Sequence, residues 1–385
     1  MAVDFQTVVV GGGVVGLACA DACLRNGGDV LLVERHARLG QETSSRNSGV
    51  AHGGLYYPPG TLKARLCVEG RHLMRAFCAE AGVPYLTVGK LIVACDESEV
   101  PPLQALATRA NSNGVEGIHL MTAAEARSLE PGLACVAALH SPATSVVDTV
   151  GFMLALEARY LDGGGTVATG TTVVGIERLP HGFRITCISN GCEATITARS
   201  LVLSGGLSAS ALARLVTPPL AALIPETVYA KGHYFALQGS SPFSRLIYPM
   251  PSSAGLGVHF TRTTSGEAKF GPDVEWCAEP NTTFDDDGNE RRRKFAAAIA
   301  RYWPEVQEDR LIPAYAGVRS KIAGEGEPPM DFAIQGPETH GCEGLIALYG
   351  IESPGLTSSL SIGRWVAGRL SSRAQSAVME DHEQA

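Results

Sequence analysis

Long apolar runs, an excess of basic residues and patterned cysteine or histidine are all missing from this sequence. With no uninterrupted apolar run of about 18 residues, no transmembrane helix is expected. Lys and Arg number 31 against 39 Asp and Glu, for a net charge of −8. That balance disfavours nucleic acid as a general partner and a polybasic membrane anchor, but a local cationic cluster can still hold a small anion. The ten cysteines fall at irregular spacings with no CxxC pair, and read as buried or free thiols of a reducing compartment. The ten histidines offer no HExxH and no zinc spacing. The acidic run DDDGNE at 285–290 has its glycine too early for a calcium loop. No metal is expected. The run from Val8 to Ala20 imitates a signal-peptide core, but Asp4 precedes it without Lys or Arg, and three glycines interrupt it. The expectation is a soluble, cytoplasmic protein, with peripheral contact to the inner membrane left open.

At 385 residues, 45% hydrophobic and 18% charged, the chain is long enough for two or three globular units. Its most informative feature lies near the start. Val8–Val10 lead into glycines at 11, 13 and 16, the GxGxxG spacing, followed by a helical stretch to about Asn26 and a second strand ending on Glu34. In that setting Gly11 permits the tight turn, Gly13 lets the backbone approach a pyrophosphate, and Gly16 lets the helix lie on the sheet. Val14 precedes, and Val15 begins, the helical stretch whose positive end faces the phosphates. Glu34 is placed to accept from a ribose hydroxyl and to repel a 2′-phosphate. The polar loop that follows, Arg35 and then Thr43, Ser44, Ser45, Asn47, Ser48 and Gly49, is dense enough in donors to line a second phosphate–ribityl chain. This favours FAD over NAD.

The run NSGVAHGGLYYPPGTLKARLCVEG at 47–70 resembles the FAD-dependent L-2-hydroxyglutarate dehydrogenase/oxidase family, within the D-amino-acid-oxidase-like flavoproteins that also include glycerol-3-phosphate dehydrogenases. Further matches follow in collinear order: KGHYF at 231–235, IYPMP ending on Pro251, GVHFTRT at 257–263, AGVR at 316–319 and GIESPGLT at 350–357. Lys231 stands where Arg is common, so a bidentate carboxylate contact becomes a point charge. The resemblance implies a Rossmann-like FAD-binding domain with an intertwined α+β substrate domain built on a mostly antiparallel sheet. The first is expected from 1–84, 148–218 and 312–385, the second from 85–147 and 219–311. It also implies flavin contacts from Val173, Gly205, Gly206, Gly350, Glu352, Ser353, Pro354, Gly355, Leu356 and Thr357.

The residue pattern agrees with that architecture. Leu86–Ala94 reads as one strand, a helix is expected near 100–111, and Thr122 and Glu125 have capping-box spacing. The aromatic short runs of 219–311 read as an antiparallel sheet, and the basic cluster 291–294 as a solvated helix face. The implied reaction removes a hydride from Cα of a 2-hydroxy acid, most simply L-2-hydroxyglutarate, giving 2-oxoglutarate. It needs a held carboxylate and a base. Histidine suits the base, and His52 and His259 both qualify. Arg319 is the leading carboxylate ligand, with Lys231, Arg262 and Tyr248 behind it. Rival substrates are an amino acid, another hydroxy acid or glycerol 3-phosphate. A quinone, an electron-transfer protein or oxygen takes the electrons.

Overall fold

The computed structural model describes residues 3–250 and 257–383, with side chains to 371. Pro251, which closes the IYPMP motif, lies outside the described residues. The chain gathers into two compact units, Met1–Ser45, Phe152–Val228 and Ser320–Ala385 in one, Arg46–Gly151 and Tyr229–Arg319 in the other. These bounds differ from those expected. Residues 46–84, 148–151 and 312–319 join the second unit, and 219–228 the first. The cause is strand pairing: Val50–Ala51 pairs antiparallel with Ser145–Val147, and Leu311–Lys321 pairs with Val228–Leu237.

The first unit is built on a nine-stranded mixed sheet. Its parallel part runs Leu345–Tyr349, Cys192–Leu203, Phe5–Val10, Val30–Val33, Thr166–Ala168. Val30–Val33 and Leu345–Tyr349 are buried along their whole length, which is why they read as continuous apolar runs rather than alternating ones. Cys192–Leu203 is long enough to serve twice. Its first half pairs antiparallel with Gly182–Ser189, and its end joins the parallel strands. The helix Val14–Arg25 packs on the last helix, Gly355–Glu383, so closely that a methyl at Gly363 would overlap the Ala18 carbonyl. Buried Asp21 in the first helix takes a forked contact from Arg159, at 3.0 and 2.6 Å.

The second unit holds another nine-stranded sheet and a small three-stranded one. Most pairs of the large sheet are antiparallel, with Leu246–Pro249 lying parallel beside Lys90–Ala94. Phe235, Phe243, Phe260, Phe270, Tyr302 and Trp303 fill its core. The expected strand Leu86–Ala94 is two strands. Tyr85–Thr87 belongs to the small sheet and Lys90–Ala94 to the large one, separated at Gly89, whose φ of 75° breaks the extended path. The helix Leu62–Ala81 is capped by the Thr61 hydroxyl and closed by Gly82 in the left-handed region. Thr122 and Glu125 form the expected capping box. The basic cluster is solvated in its second half alone: Arg293 and Lys294 are exposed, whereas Arg291 ion-pairs with Asp273 and with Glu275 (2.6 Å), and Arg292 with Asp286 (3.0 Å). Among the described residues no helix is long and apolar enough to cross a membrane.

Candidate functional site

In the first unit the glycine-rich turn has the geometry its spacing predicts. Gly11 sits at φ 107° with its N–H on the Val33 carbonyl at 2.8 Å. A methyl there would overlap the Ser204 carbonyl, and one at Gly16 would overlap the Gly11 carbonyl. Both are therefore needed by the fold itself. Gly13 differs: the single atom near an added Cβ is Ser44 Oγ at 3.2 Å. The protein leaves that space open, as a pyrophosphate at the helix start would require.

Around this turn the predicted residues gather. Val14 N–H donates to Ser44 Oγ at 2.9 Å, tying the polar loop to the helix, and Val15 follows in the first turn. Glu34 is buried at the end of its strand. Its two oxygens accept the Gly12 N–H (2.7 Å) and the His36 N–H (2.8 Å), which aims the carboxylate and leaves lone pairs for a ribose hydroxyl. Arg35 pairs with Glu42 and reaches Ser208 Oγ at 3.0 Å. Thr43–Ser45 form a single 3-10 turn, with Ser45 Oγ on the Glu42 carbonyl at 2.9 Å.

Later segments of the same unit supply the rest. Val173 is a core residue beside a bulge in Thr171–Leu179. Gly205 and Gly206 follow Cys192–Leu203, and the Gly206 carbonyl accepts from Ser320 Oγ at 2.9 Å. Gly350 takes φ 63°, Glu352 is held by Lys321 at 2.7 Å, and the Pro354 carbonyl accepts from Ser358 N–H at 2.9 Å. Ser353 precedes Pro354, and Gly355, Leu356 and Thr357 open the last helix. Ser358 and Ser359 are buried there, and among the described residues their hydroxyls have no hydrogen-bond partner. An open space over Gly13, an acid at the strand end and orphaned hydroxyls all fit a bound dinucleotide.

The second unit holds the other predicted residues. Tyr315 OH donates to the Asn47 carbonyl (2.7 Å), Asn47 Oδ1 accepts the Gly49 N–H (2.8 Å), and Ser48 hydrogen-bonds Tyr234. A close cluster follows. The Tyr248 and His259 rings stack at 3.6 Å and 9°. The Lys90 ammonium stands 4.5 Å from the Tyr248 ring centre and 5.0 Å from that of Tyr56. Cys67 donates its thiol to the His52 carbonyl at 3.5 Å. Burial, then the Lys90 and His259 charges, hold His52 down at about 3, so its ring is neutral at ordinary pH.

Arg319 and Lys231 are more constrained than expected. Arg319 donates from Nε to the Ala230 carbonyl (3.2 Å) and from Nη2 to those of Lys231 (3.3 Å) and Asp273 (2.8 Å). Two of its three nitrogens therefore fasten backbone. Lys231 Nζ donates to Asn281 Oδ1 at 3.1 Å. His233 is fully buried against Asp273, 2.9 Å from its Oδ1. Arg262 donates to the Ser244 carbonyl at 3.1 Å. Sequence reasoning missed Lys90. A lone lysine inside the apolar run LTVGKLIVA was the available signal, since lysine is almost never fully buried without a purpose.

The matching family model is that of FAD-dependent oxidoreductases, over residues 6–369. The L-2-hydroxyglutarate dehydrogenase, mitochondrial, of Arabidopsis thaliana is 40% identical, covering 94% of this chain and 83% of that one. The L-2-hydroxyglutarate dehydrogenase of Indibacter alkaliphilus is 29% identical, covering 94% and 97%. Among solved structures, FAD-bound L-alpha-glycerophosphate oxidase from Mycoplasma pneumoniae superposes with a TM-score of 0.84 at 26% identity, covering 95% of this chain and 94% of that one.

Proposed function

Because the chain belongs to the FAD-dependent oxidoreductase family, we propose that it oxidises the CH–OH group of a small 2-hydroxy acid, L-2-hydroxyglutarate, to give 2-oxoglutarate. The observation that carries this reading is the collinear likeness to proteins named L-2-hydroxyglutarate dehydrogenase. The cluster of Lys90, His52, Tyr248 and His259 supports it, because it combines a cation with proton acceptors on one aromatic surface.

FAD, when bound, supplies the two-electron acceptor for the hydride. This chain's residues supply the remainder. The backbone at Gly13, the Glu34 carboxylate and the hydroxyls of Ser44, Ser358 and Ser359 hold the dinucleotide. Asn47, Ser48 and Gly49 are further residues proposed to contact the flavin. Arg319, Lys231 and Lys90 attract the substrate's carboxylates. An imidazole, that of His259 or the neutral one of His52, takes the hydroxyl proton as the Cα–H bond breaks. Tyr248, stacked on His259, fixes the plane of that ring. A quinone, an electron-transfer protein or oxygen removes the electrons. The ten free thiols suit a reducing compartment, here the cytoplasm, with membrane contact where the acceptor is a quinone.

Steady-state assays with a redox dye compare L-2-hydroxyglutarate with glycerol 3-phosphate and with glycine. The expected kcat/KM favours L-2-hydroxyglutarate by at least about 100-fold, with 2-oxoglutarate formed and no ammonia, because a site built for two carboxylates rejects ligands lacking one. A preference for glycerol 3-phosphate would overturn the substrate assignment in favour of the activity named for the Mycoplasma relative.

A further inference from the structure

We propose that the Lys90 ammonium receives one carboxylate of the substrate, an assignment that rests on the dicarboxylate reading above. Lys90 is completely buried at the start of its strand, and among the described residues its Nζ has no hydrogen-bond partner. Its surroundings hold a cation without accepting its protons. The ring faces of Tyr248 and Tyr56 lie 4.5 and 5.0 Å away, and such faces attract positive charge through their quadrupole. The strand neighbours opposite Lys90 are Leu246 and Ser141. Facing titratable groups are Cys67 on the helix Leu62–Ala81, His52 after the strand Val50–Ala51, Tyr56 and Tyr248, with His259 stacked on the last. Among the described residues no Asp or Glu pairs with it.

An ammonium carries three donors and no acceptor. Burying it with none of the three satisfied is costly unless a ligand anion completes the site. A carboxylate arriving against Tyr56 and Tyr248 supplies both the acceptor oxygens and the missing countercharge. Desolvation supports the same reading, pushing Lys90 down to about 7 in the unliganded protein, against a smaller opposing effect of Cys67. An anion beside it restores the charged form, so carboxylate binding above neutral pH takes up a proton.

The test titrates the FAD-loaded enzyme with glutarate, a dicarboxylate lacking the reactive hydroxyl, by calorimetry at pH 8 in two buffers of different ionisation enthalpy. The wild type is expected to take up roughly nine-tenths of a proton per glutarate, and its Kd to rise about tenfold per pH unit above neutrality. Lys90→Met is expected to keep its FAD, lose the uptake and bind glutarate at least about 30-fold more weakly, losing a charge-assisted contact. Lys90→Arg is expected to recover part of the affinity without the pH dependence. Glutarate binding by the wild type without uptake, no glutarate binding, or wild-type affinity in Lys90→Met each overturns the assignment. The wild-type measurement stands by itself if the variants do not fold. Lys90-dependent uptake in an enzyme that L-2-hydroxyglutarate does not reduce would overturn the substrate reading and leave the carboxylate site in place.

Discussion

Gly13→Val is expected to give a folded but colourless protein, whereas Gly16→Val gives little folded protein. The two glycines share one motif, and their surroundings separate their roles. At Gly16 an added methyl meets the Gly11 carbonyl inside the protein, so the helix Val14–Arg25 cannot lie on its sheet. At Gly13 the same methyl meets just Ser44 Oγ at 3.2 Å, which a serine rotamer change relieves. Valine is a poor residue at a helix start, with a cost of about 1 kcal/mol, too little to unfold the chain. Its branched side chain nevertheless occupies the space a pyrophosphate needs. FAD content after purification, thermal unfolding and circular dichroism read the two outcomes. An expected loss of FAD affinity of at least about 100-fold at Gly13 corresponds to roughly 3 kcal/mol. A yellow Gly13→Val protein with ordinary affinity would remove the turn from the cofactor site.

The second large effect concerns the proton. His259→Ala is expected to lower the rate of flavin reduction at saturating substrate by about 10²–10⁴-fold, the usual contribution of a positioned base, while KM changes little. His52 is held at about 3 by burial and by the neighbouring Lys90 and His259 charges. Its protonated form is thus disfavoured across the working range, and it serves better as a neutral hydrogen-bonding wall. His259 is kept in one plane by Tyr248. His52→Ala should accordingly cost less in rate than His259→Ala. Rapid-mixing measurements under anaerobic conditions give both numbers. Full reduction rate in His259→Ala would transfer the proton to His52, and full rate in both would remove imidazole from the step.

Much of this was legible in the sequence because it is local. The turn at 11–16 and the acid at 34 follow from spacing along a single strand–helix–strand path, and the structure places them accordingly. What was not legible depends on partners distant in the chain or on one backbone angle. The apolar run Leu86–Ala94 concealed the break at Gly89, because a positive φ leaves no trace in hydropathy. With the break unseen, Lys90 went unremarked as a buried cation between two tyrosines. The cluster at 291–294 looked solvated because Asp273 and Glu275, which take Arg291, precede it by 18 and 16 residues. Arg319 was expected as the leading carboxylate ligand. The carbonyls of Ala230, Lys231 and Asp273, which claim two of its nitrogens, belong to other segments.

The most direct test of the central claim is anaerobic mixing of the purified holoenzyme with L-2-hydroxyglutarate, with the D-enantiomer alongside, following flavin absorbance. The account predicts bleaching by the L-enantiomer within one turnover and none by the D-enantiomer, with one equivalent of 2-oxoglutarate per flavin. An oxidised flavin after both additions would contradict it.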